Sequence, residues 1–112
     1  MNLFRKLRLF WRNLRRRRRI ARVVRVESMA DVPRKLKGEL YIVVGSRPKW
    51  AILACPCRCG ERIDVNLMEN RQPSWRLSAD GKEVSLHPSL WMPKEKCGSH
   101  FWIRQNRIDW VP

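Results

Sequence analysis

The chain of 112 residues has no apolar run of the roughly 18–20 residues that a membrane-spanning helix needs. It also lacks the apolar stretch of about 7–15 residues that marks a secretory signal peptide, because arginine and lysine interrupt residues 1–24 throughout. The two absences predict a cytoplasmic protein with no transmembrane segment. In that reducing compartment, clustered cysteines more often bind metal or act as catalytic thiols than form disulfides.

Residues 1–25 contain no acidic residue, although they hold 11 of the 25 lysines and arginines. The rest of the chain carries 14 basic and 10 acidic residues, so the net charge of +15 belongs mainly to this first segment. The composition therefore predicts two parts, a basic amphipathic arm over residues 1–21 and a mildly basic domain over residues 22–112.

The pattern of the arm is typical of a helix with one apolar and one basic side. Apolar residues recur at helical spacing and arginines occupy the other side: Leu3, Leu7, Phe10 and Leu14 against Arg5, Arg8, Arg12 and Arg15. Such a helix can bind the phosphate backbone of nucleic acid, an anionic membrane surface or a partner protein. A solvated, partly disordered tail is the alternative.

The domain has the sequence pattern of a mainly β protein, with predicted strands every 8–14 residues and turn residues between them. Asp80-Gly81 and Gln105-Asn106 are predicted hairpin turns. Strands are predicted in the segments VVRVES, ELYIVVG, KWAILAC, ERIDVNL, WRLSAD, KEVSLHPS, SHFWIR and RIDW. The sequence predicts a small zinc-stapled antiparallel β domain preceded by a basic amphipathic helix, and most of the six tryptophans are expected in its core.

Five potential metal ligands occur in two segments about 40 residues apart. Cys55, Cys57 and Cys59 alternate, so an extended backbone would place them on one face. Cys97 and His100 have the Cys-x-x-His spacing of a metal-binding turn. Thiolate and imidazole are the ligands that zinc prefers, and the sequence predicts a zinc site.

Zinc takes four ligands, so one of the five candidates is left over. We expect Cys57, Cys59 and Cys97 to hold the ion, with Cys55 and His100 competing for the fourth place or for catalysis. A closed four-ligand site is structural, whereas three ligands and a water can hydrolyse an amide because bound zinc lowers the pKa of the water to about 7.

Hydrolysis of that kind would need a general base near the ion. Glu61 follows the cysteine cluster by two residues and is the nearest candidate, with Asp64 and Ser99 as weaker ones. The lone His87 is expected to be a surface or packed residue.

Three motifs together resemble a bacterial domain family of unknown function catalogued as number 6527. The motifs are ACPCRCG, WRLSADGKEVSLHPS and CGSHFWI, and with the closing Trp110 they cover about residues 24–111 in order. The resemblance implies a zinc-binding protein encoded near bacterial ubiquitin-like conjugation components. It also implies a peptidase that processes ubiquitin-like proteins. Carried onto this chain, it places Cys55, Cys57, Cys59, Cys97 and His100 in the metal or active centre, with Ser99 beside it.

The sequence thus leaves two functions open. One is a zinc-dependent peptidase that acts on a ubiquitin-like protein, with Glu61, His100 and Ser99 as catalytic candidates. The other is a binding module with structural zinc, whose arm over residues 1–25 binds nucleic acid or an anionic membrane.

Overall fold

Eight strands arranged in two four-stranded sheets make up the domain, in a computed structural model that describes residues 3–7 and 15–112. The first sheet has the order β1 (Val23–Val26), β2 (Leu40–Val44), β3 (Pro48–Ala54) and β4 (Arg62–Asn66). The second sheet has the order β5 (Arg76–Asp80), β6 (Glu83–Trp91), β7 (His100–Arg104) and β8 (Arg107–Trp110). The prediction of a mainly β fold is confirmed.

The pairing of β1 with β2 is parallel, with Val23 opposite Leu40, so the prediction of a purely antiparallel domain is wrong at this strand. Parallel neighbours need a long crossover, and residues 27–39 provide it. The crossover contains a short 3-10 helix, Met29–Asp31, whose first free amide, that of Ala30, donates to the Ser28 hydroxyl at 3.1 Å. The composition of this segment predicts a linker, but it does not predict that the linker brings β2 parallel to β1.

Two apolar clusters hold the layers together. The larger lies between the sheets and includes Leu40, Leu53 and the fully buried Phe101. The smaller covers the other face of the first sheet, where Val32 from the crossover packs with Tyr41. Because the crossover covers that second face, β2 is buried at four successive residues and shows no alternation of apolar and polar side chains.

Both predicted hairpin turns are confirmed. Gly81 has φ +63° between β5 and β6, and Gln105 and Asn106 both have positive φ between β7 and β8. Two successive residues with positive φ form the turn whose twist suits a two-residue hairpin. Asn106 is also buried, and its side-chain oxygen accepts a hydrogen bond from the Val84 amide at 2.8 Å, which ties this turn to β6.

Backbone hydrogen bonds join the last part of the arm to the domain. The Arg17 amide donates to the Pro56 carbonyl, the Ile20 amide donates to the Asn106 carbonyl, and the Ile108 amide donates to the Arg18 carbonyl, at 2.7 to 2.8 Å. Residues 3–7 are helical and expose Leu3 and Phe4, whereas Phe10 and Leu14 of the predicted stripe lie outside the described residues. No helix within the described residues is long and apolar enough to cross a membrane.

The buried side chain of Asn66 organises the loop between β4 and β5. Its amide nitrogen donates to the carbonyls of Met68, Arg71 and Pro73 at 3.0 to 3.2 Å, and its oxygen accepts from the Met68 amide at 3.0 Å. The Asn66 carbonyl accepts from the Trp75 amide at 2.8 Å. One side chain therefore sets the path of the chain into β5.

We expect Asn66→Ala to lower the free energy of unfolding by about 1–3 kcal/mol, because the carbonyls of Met68, Arg71 and Pro73 lose the donor that the buried Asn66 side chain supplies. Urea denaturation would measure the loss. Gln72→Ala, at an exposed residue of the same loop, is the control and should change stability by less than about 0.5 kcal/mol. Equal stabilities of the two variants would contradict this role of Asn66.

Candidate metal centre and serine–histidine pair

The first three cysteines lie in a tight turn rather than in an extended strand. β3 ends at Ala54, and the Arg58 amide then donates to the Cys55 carbonyl at 3.0 Å. Arg58 has φ +69° and Gly60 has φ +91°, so the chain reverses within the cluster. The Cys55 amide donates to the Glu61 carbonyl at 2.8 Å and closes the loop. The predicted convergence of the three thiols is therefore produced by a turn and not by strand alternation.

The fourth cysteine comes from the loop between β6 and β7. Amides of Lys96 and Gly98 donate to the Pro93 carbonyl at 3.1 and 3.0 Å, and Gly98 has φ +62°. This turn brings the Cys97 sulfur to 3.8 Å from the sulfur of Cys55. An ion pair of 3.1 Å between Lys96 Nζ and Glu61 Oε2 joins the two cysteine loops at the surface.

The four sulfur atoms of Cys55, Cys57, Cys59 and Cys97 lie within 4.8 Å of one another and can hold a metal ion. The Cys55 and Cys57 sulfurs are 3.4 Å apart. A tetrahedral zinc with zinc–sulfur bonds of ~2.3 Å has sulfur–sulfur edges of ~3.8 Å, so the donor set fits such an ion. Cys55 and Cys57 are buried and Cys59 is exposed, so one edge of the cluster faces solvent.

The thiols differ in acidity because their surroundings differ. Burial raises the pKa of Cys55 well above its ordinary value and raises that of Cys59 to about 11. For Cys57, burial acts in the same direction, but polar contacts with the side chains of Ser99, Cys59 and Cys55 outweigh it and lower the pKa to about 7. Metal binding requires thiolates, and Cys57 loses its proton more readily than Cys55 or Cys59.

Ser99 lies on the inner side of the cysteine cluster. Only 3% of the surface of Ser99 is exposed to solvent, and its hydroxyl makes no hydrogen bond of good geometry. The hydroxyl nevertheless lies beside Cys57 and contributes to the low pKa of that thiol. A buried hydroxyl with no other partner fits a role as donor to a metal-bound sulfur.

His100 lies outside the group of four sulfur atoms and faces a different serine. Its Nε2 is 2.8 Å from the hydroxyl oxygen of Ser89, within hydrogen-bond range. The indole of Trp91 is stacked on the imidazole with ring centroids 4.4 Å apart and an interplanar angle of 2°. A half-buried hydroxyl hydrogen-bonded to an oriented imidazole is the arrangement of a nucleophile and its general base.

An irregularity in β6 produces this contact. Leu86 pairs with Ile103 but Leu90 pairs with Phe101, so β6 uses four residues where β7 uses two. Bulges of this kind redirect side chains and are frequent beside active sites. The ladder resumes at once, with Trp91 opposite His100, which places Ser89 next to the imidazole. The Trp75 indole donates to the Ser89 carbonyl at 3.2 Å and fixes the bulge from the other side.

The structure brings together four of the five predicted metal ligands and separates the fifth. Of the catalytic candidates, Glu61 is paired with Lys96, and Ser99 is buried beside Cys57. Sequence reasoning missed Ser89, which lies eleven residues before His100 in a Pro-Ser motif. The contact between Ser89 and His100 depends on the irregular pairing of β6 with β7, and the periodicity of the strands in the sequence does not reveal that irregularity.

Comparison with known proteins gives one family. A family model described as "Bacterial ubiquitination-like system serine protease (BubE)" matches residues 25–111. The span agrees with that of the resemblance found in the sequence, although the matching family is not the numbered domain named there. No curated protein and no solved structure matches the chain significantly.

We expect the purified chain to carry about one metal ion and Cys57→Ser to lose most of it, because three thiolates bind more weakly than four. Structural zinc can contribute about 10–16 kcal/mol of binding free energy to folding, so the thermal midpoint should also fall. Metal analysis by mass spectrometry and thermal denaturation measure the two effects.

His100→Ala is the matched control, because the imidazole lies outside the four-sulfur group. It should keep the metal content of the unchanged protein. Loss of metal in His100→Ala together with full retention in Cys55→Ser would show that the ligand set includes the histidine instead.

Proposed function

The chain belongs to the bacterial ubiquitination-like system serine protease family (BubE), and from this premise we propose that it is a peptidase in which Ser89 is the nucleophile and His100 is the general base. The observation that carries the proposal is the 2.8 Å contact between the Ser89 hydroxyl and His100 Nε2. A family of serine proteases requires a serine that a base can activate, and this pair supplies one.

The chemistry follows from the positions of these two side chains. Ser89 Oγ attacks the carbonyl carbon of the scissile amide while its proton passes to His100 Nε2. The tetrahedral intermediate collapses when His100 returns that proton to the leaving nitrogen, which breaks the carbon–nitrogen bond and leaves an ester on Ser89. Water then attacks the ester, giving its proton to His100, and the serine is restored when the proton returns to Ser89.

The imidazole must keep one orientation during these transfers, and the fold constrains it in two ways. Its backbone carbonyl accepts a hydrogen bond from the Val111 amide at 2.9 Å, and the indole of Trp91 lies flat on its ring. Within residues 3–7 and 15–112, no carboxylate hydrogen-bonds to His100. Trp91 therefore takes the orienting role that an aspartate has in a serine–histidine–aspartate triad.

We assign zinc to the cluster of Cys55, Cys57, Cys59 and Cys97, in a structural role. When bound by four thiolates, zinc has no open position, and its contribution is to folding. Cys97 is three residues before His100, so the loop that reaches the metal continues directly into the base. The cluster then holds one end of β7 in place for catalysis.

The substrate we propose is a ubiquitin-like protein, in keeping with the ubiquitination-like system in the family description. Supporting this, Trp91 is 68% exposed beside the serine–histidine pair and offers a large apolar surface to an arriving chain. Trp102 lies further along β7, with the His87 ring at 5.6 Å and the Arg104 guanidinium at 4.4 Å from its ring. The expectation that most tryptophans are core residues is wrong for Trp91.

The roles read from the sequence for Glu61 and Ser99 remain predictions of a competing mechanism in which zinc activates a water. In that mechanism Glu61 is the general base, with Ser99 as a weaker candidate for the same role. The ion pair with Lys96 and the burial of Ser99 beside Cys57 support the serine mechanism over this one.

We expect Ser89→Ala and His100→Ala each to lower kcat/KM for cleavage of a ubiquitin-like fusion by roughly 10²–10⁴-fold, because each removes one partner of the proton transfer. Metal content and thermal midpoint should stay near those of the unchanged protein. A fluorophosphonate probe should label Ser89 and no other serine, as peptide mass spectrometry would show.

Glu61→Gln is the matched control, because Glu61 is an exposed partner of a surface ion pair of small energetic value. It should retain at least half of the activity. Loss of activity in Glu61→Gln with full activity in Ser89→Ala would refute the serine mechanism and favour zinc-activated water.

Trp91 gives a second, graded test. Trp91→Phe keeps an aromatic face on the imidazole and should leave kcat within about threefold. Trp91→Ala removes the stacking contact, worth about 0.5–1.5 kcal/mol, and should lower kcat by roughly 3–10-fold. Steady-state kinetics would measure both, and equal kcat values for the two variants would contradict an orienting role of Trp91.

A further inference from the structure

A cleft of about 530 Å³ lies on the domain where the arm joins β8. Its lining combines the last part of the arginine run with the closing strand: Arg16, Arg18, Arg107, Ile108, Asp109 and Trp110. The peptidase mechanism uses none of these residues. The cleft and the serine–histidine pair also use different faces of β7. Trp110 contacts Phe101 on the core side of that strand, whereas His100 is on the opposite face.

The fold holds this cleft in place. The Arg16 guanidinium lies over the Trp110 ring at 4.3 Å, and the Trp110 indole donates to the Arg17 carbonyl at 3.1 Å. An antiparallel backbone β-bridge pairs Arg19 with Arg107, and the Ile108 amide donates a hydrogen bond to the Arg18 carbonyl. These backbone contacts fix the arm along β8. The cationic groups are therefore attached to a hydrogen-bonded backbone rather than to a free tail.

The positive charge of the cleft is not neutralised by the chain. Within residues 3–7 and 15–112, Arg16, Arg18 and Arg107 form no ion pair, and residues 8–14 contain no Asp or Glu. The one acidic residue of the lining, Asp109, is engaged by Arg104 at 3.5 Å. Arg16 Nε is buried without an acceptor, so the site also contains an unsatisfied donor.

We propose that this cleft binds the phosphate backbone of nucleic acid. Guanidinium groups match phosphate oxygens bidentately, and residues 1–25 carry ten arginines and one lysine. A linear polyanion can contact Arg18 and Arg107 together, because its phosphates repeat along the chain. A bilayer presents a flat array of headgroups, which a concave cleft on the domain fits less well.

The test measures binding of a labelled single-stranded oligonucleotide to the full chain by fluorescence anisotropy over 50–200 mM salt. Each phosphate contact contributes about 0.7 to the slope of log K against log salt for single strands. The double variant Arg18→Ala, Arg107→Ala should lower that slope by about 1.4 and weaken binding roughly 10-fold or more at the low-salt end. Its peptidase activity and thermal midpoint should be unchanged.

Two further variants make the result specific to the cleft. Arg18→Lys with Arg107→Lys preserves the charge and should preserve most of the slope. Arg47→Ala with Arg71→Ala removes two exposed arginines from other loops and should alter neither slope nor affinity.

Three results would overturn the proposal. One is an unchanged slope in the double alanine variant, and another is an equal loss in the Arg47 and Arg71 control. The third is absence of oligonucleotide binding by the unchanged protein, and binding only to vesicles rich in phosphatidylserine would then assign the arm to membranes.

Discussion

The convergence of four cysteine sulfurs from two distant loops is the constraint on which the site depends. Cys55, Cys57 and Cys59 leave the first sheet after β3, and Cys97 lies in the loop between the two central strands of the second sheet. The apolar core joins the sheets over their faces, and the cluster brings these two loops together at one end. Cys97 is followed three residues later by His100, so the loop that carries the fourth sulfur leads directly to the imidazole.

β7 shows how one short strand serves both stability and chemistry. Phe101 and Ile103 are buried in the core between the sheets, and the alternate residues His100 and Trp102 face outward. The core residues hold β7 rigidly, so the imidazole is presented by a fixed backbone. The irregular pairing of β6 then brings Ser89 to that imidazole, and the same strand supplies Trp91 as its stacking partner.

The sequence predicts most of the strands because apolar alternation and turn residues are local signals. It also predicts that Cys55, Cys57, Cys59 and Cys97 meet, but as part of a five-member group that includes His100, which the structure separates from the four sulfurs. Features that depend on register were not accessible in this way. The parallel direction of β1 depends on the path of the crossover, and the contact of Ser89 with His100 depends on two extra residues in β6. The sequence indicates Ser99 as a catalytic candidate because it directly precedes His100, whereas the structure places the Ser89 hydroxyl against the imidazole.

Three of the four sulfurs occur within five residues of sequence, and this proximity affects how the zinc that we propose would stabilise the fold. An unfolded chain can already chelate zinc with Cys55, Cys57 and Cys59, because closing so short a loop costs little entropy. Only the bond to Cys97 requires the folded arrangement. Zinc that also binds the unfolded ensemble stabilises the native state by less than its full binding free energy. The tight turn thus favours early capture of the ion during synthesis, at the expense of the thermodynamic gain that a widely dispersed ligand set would give.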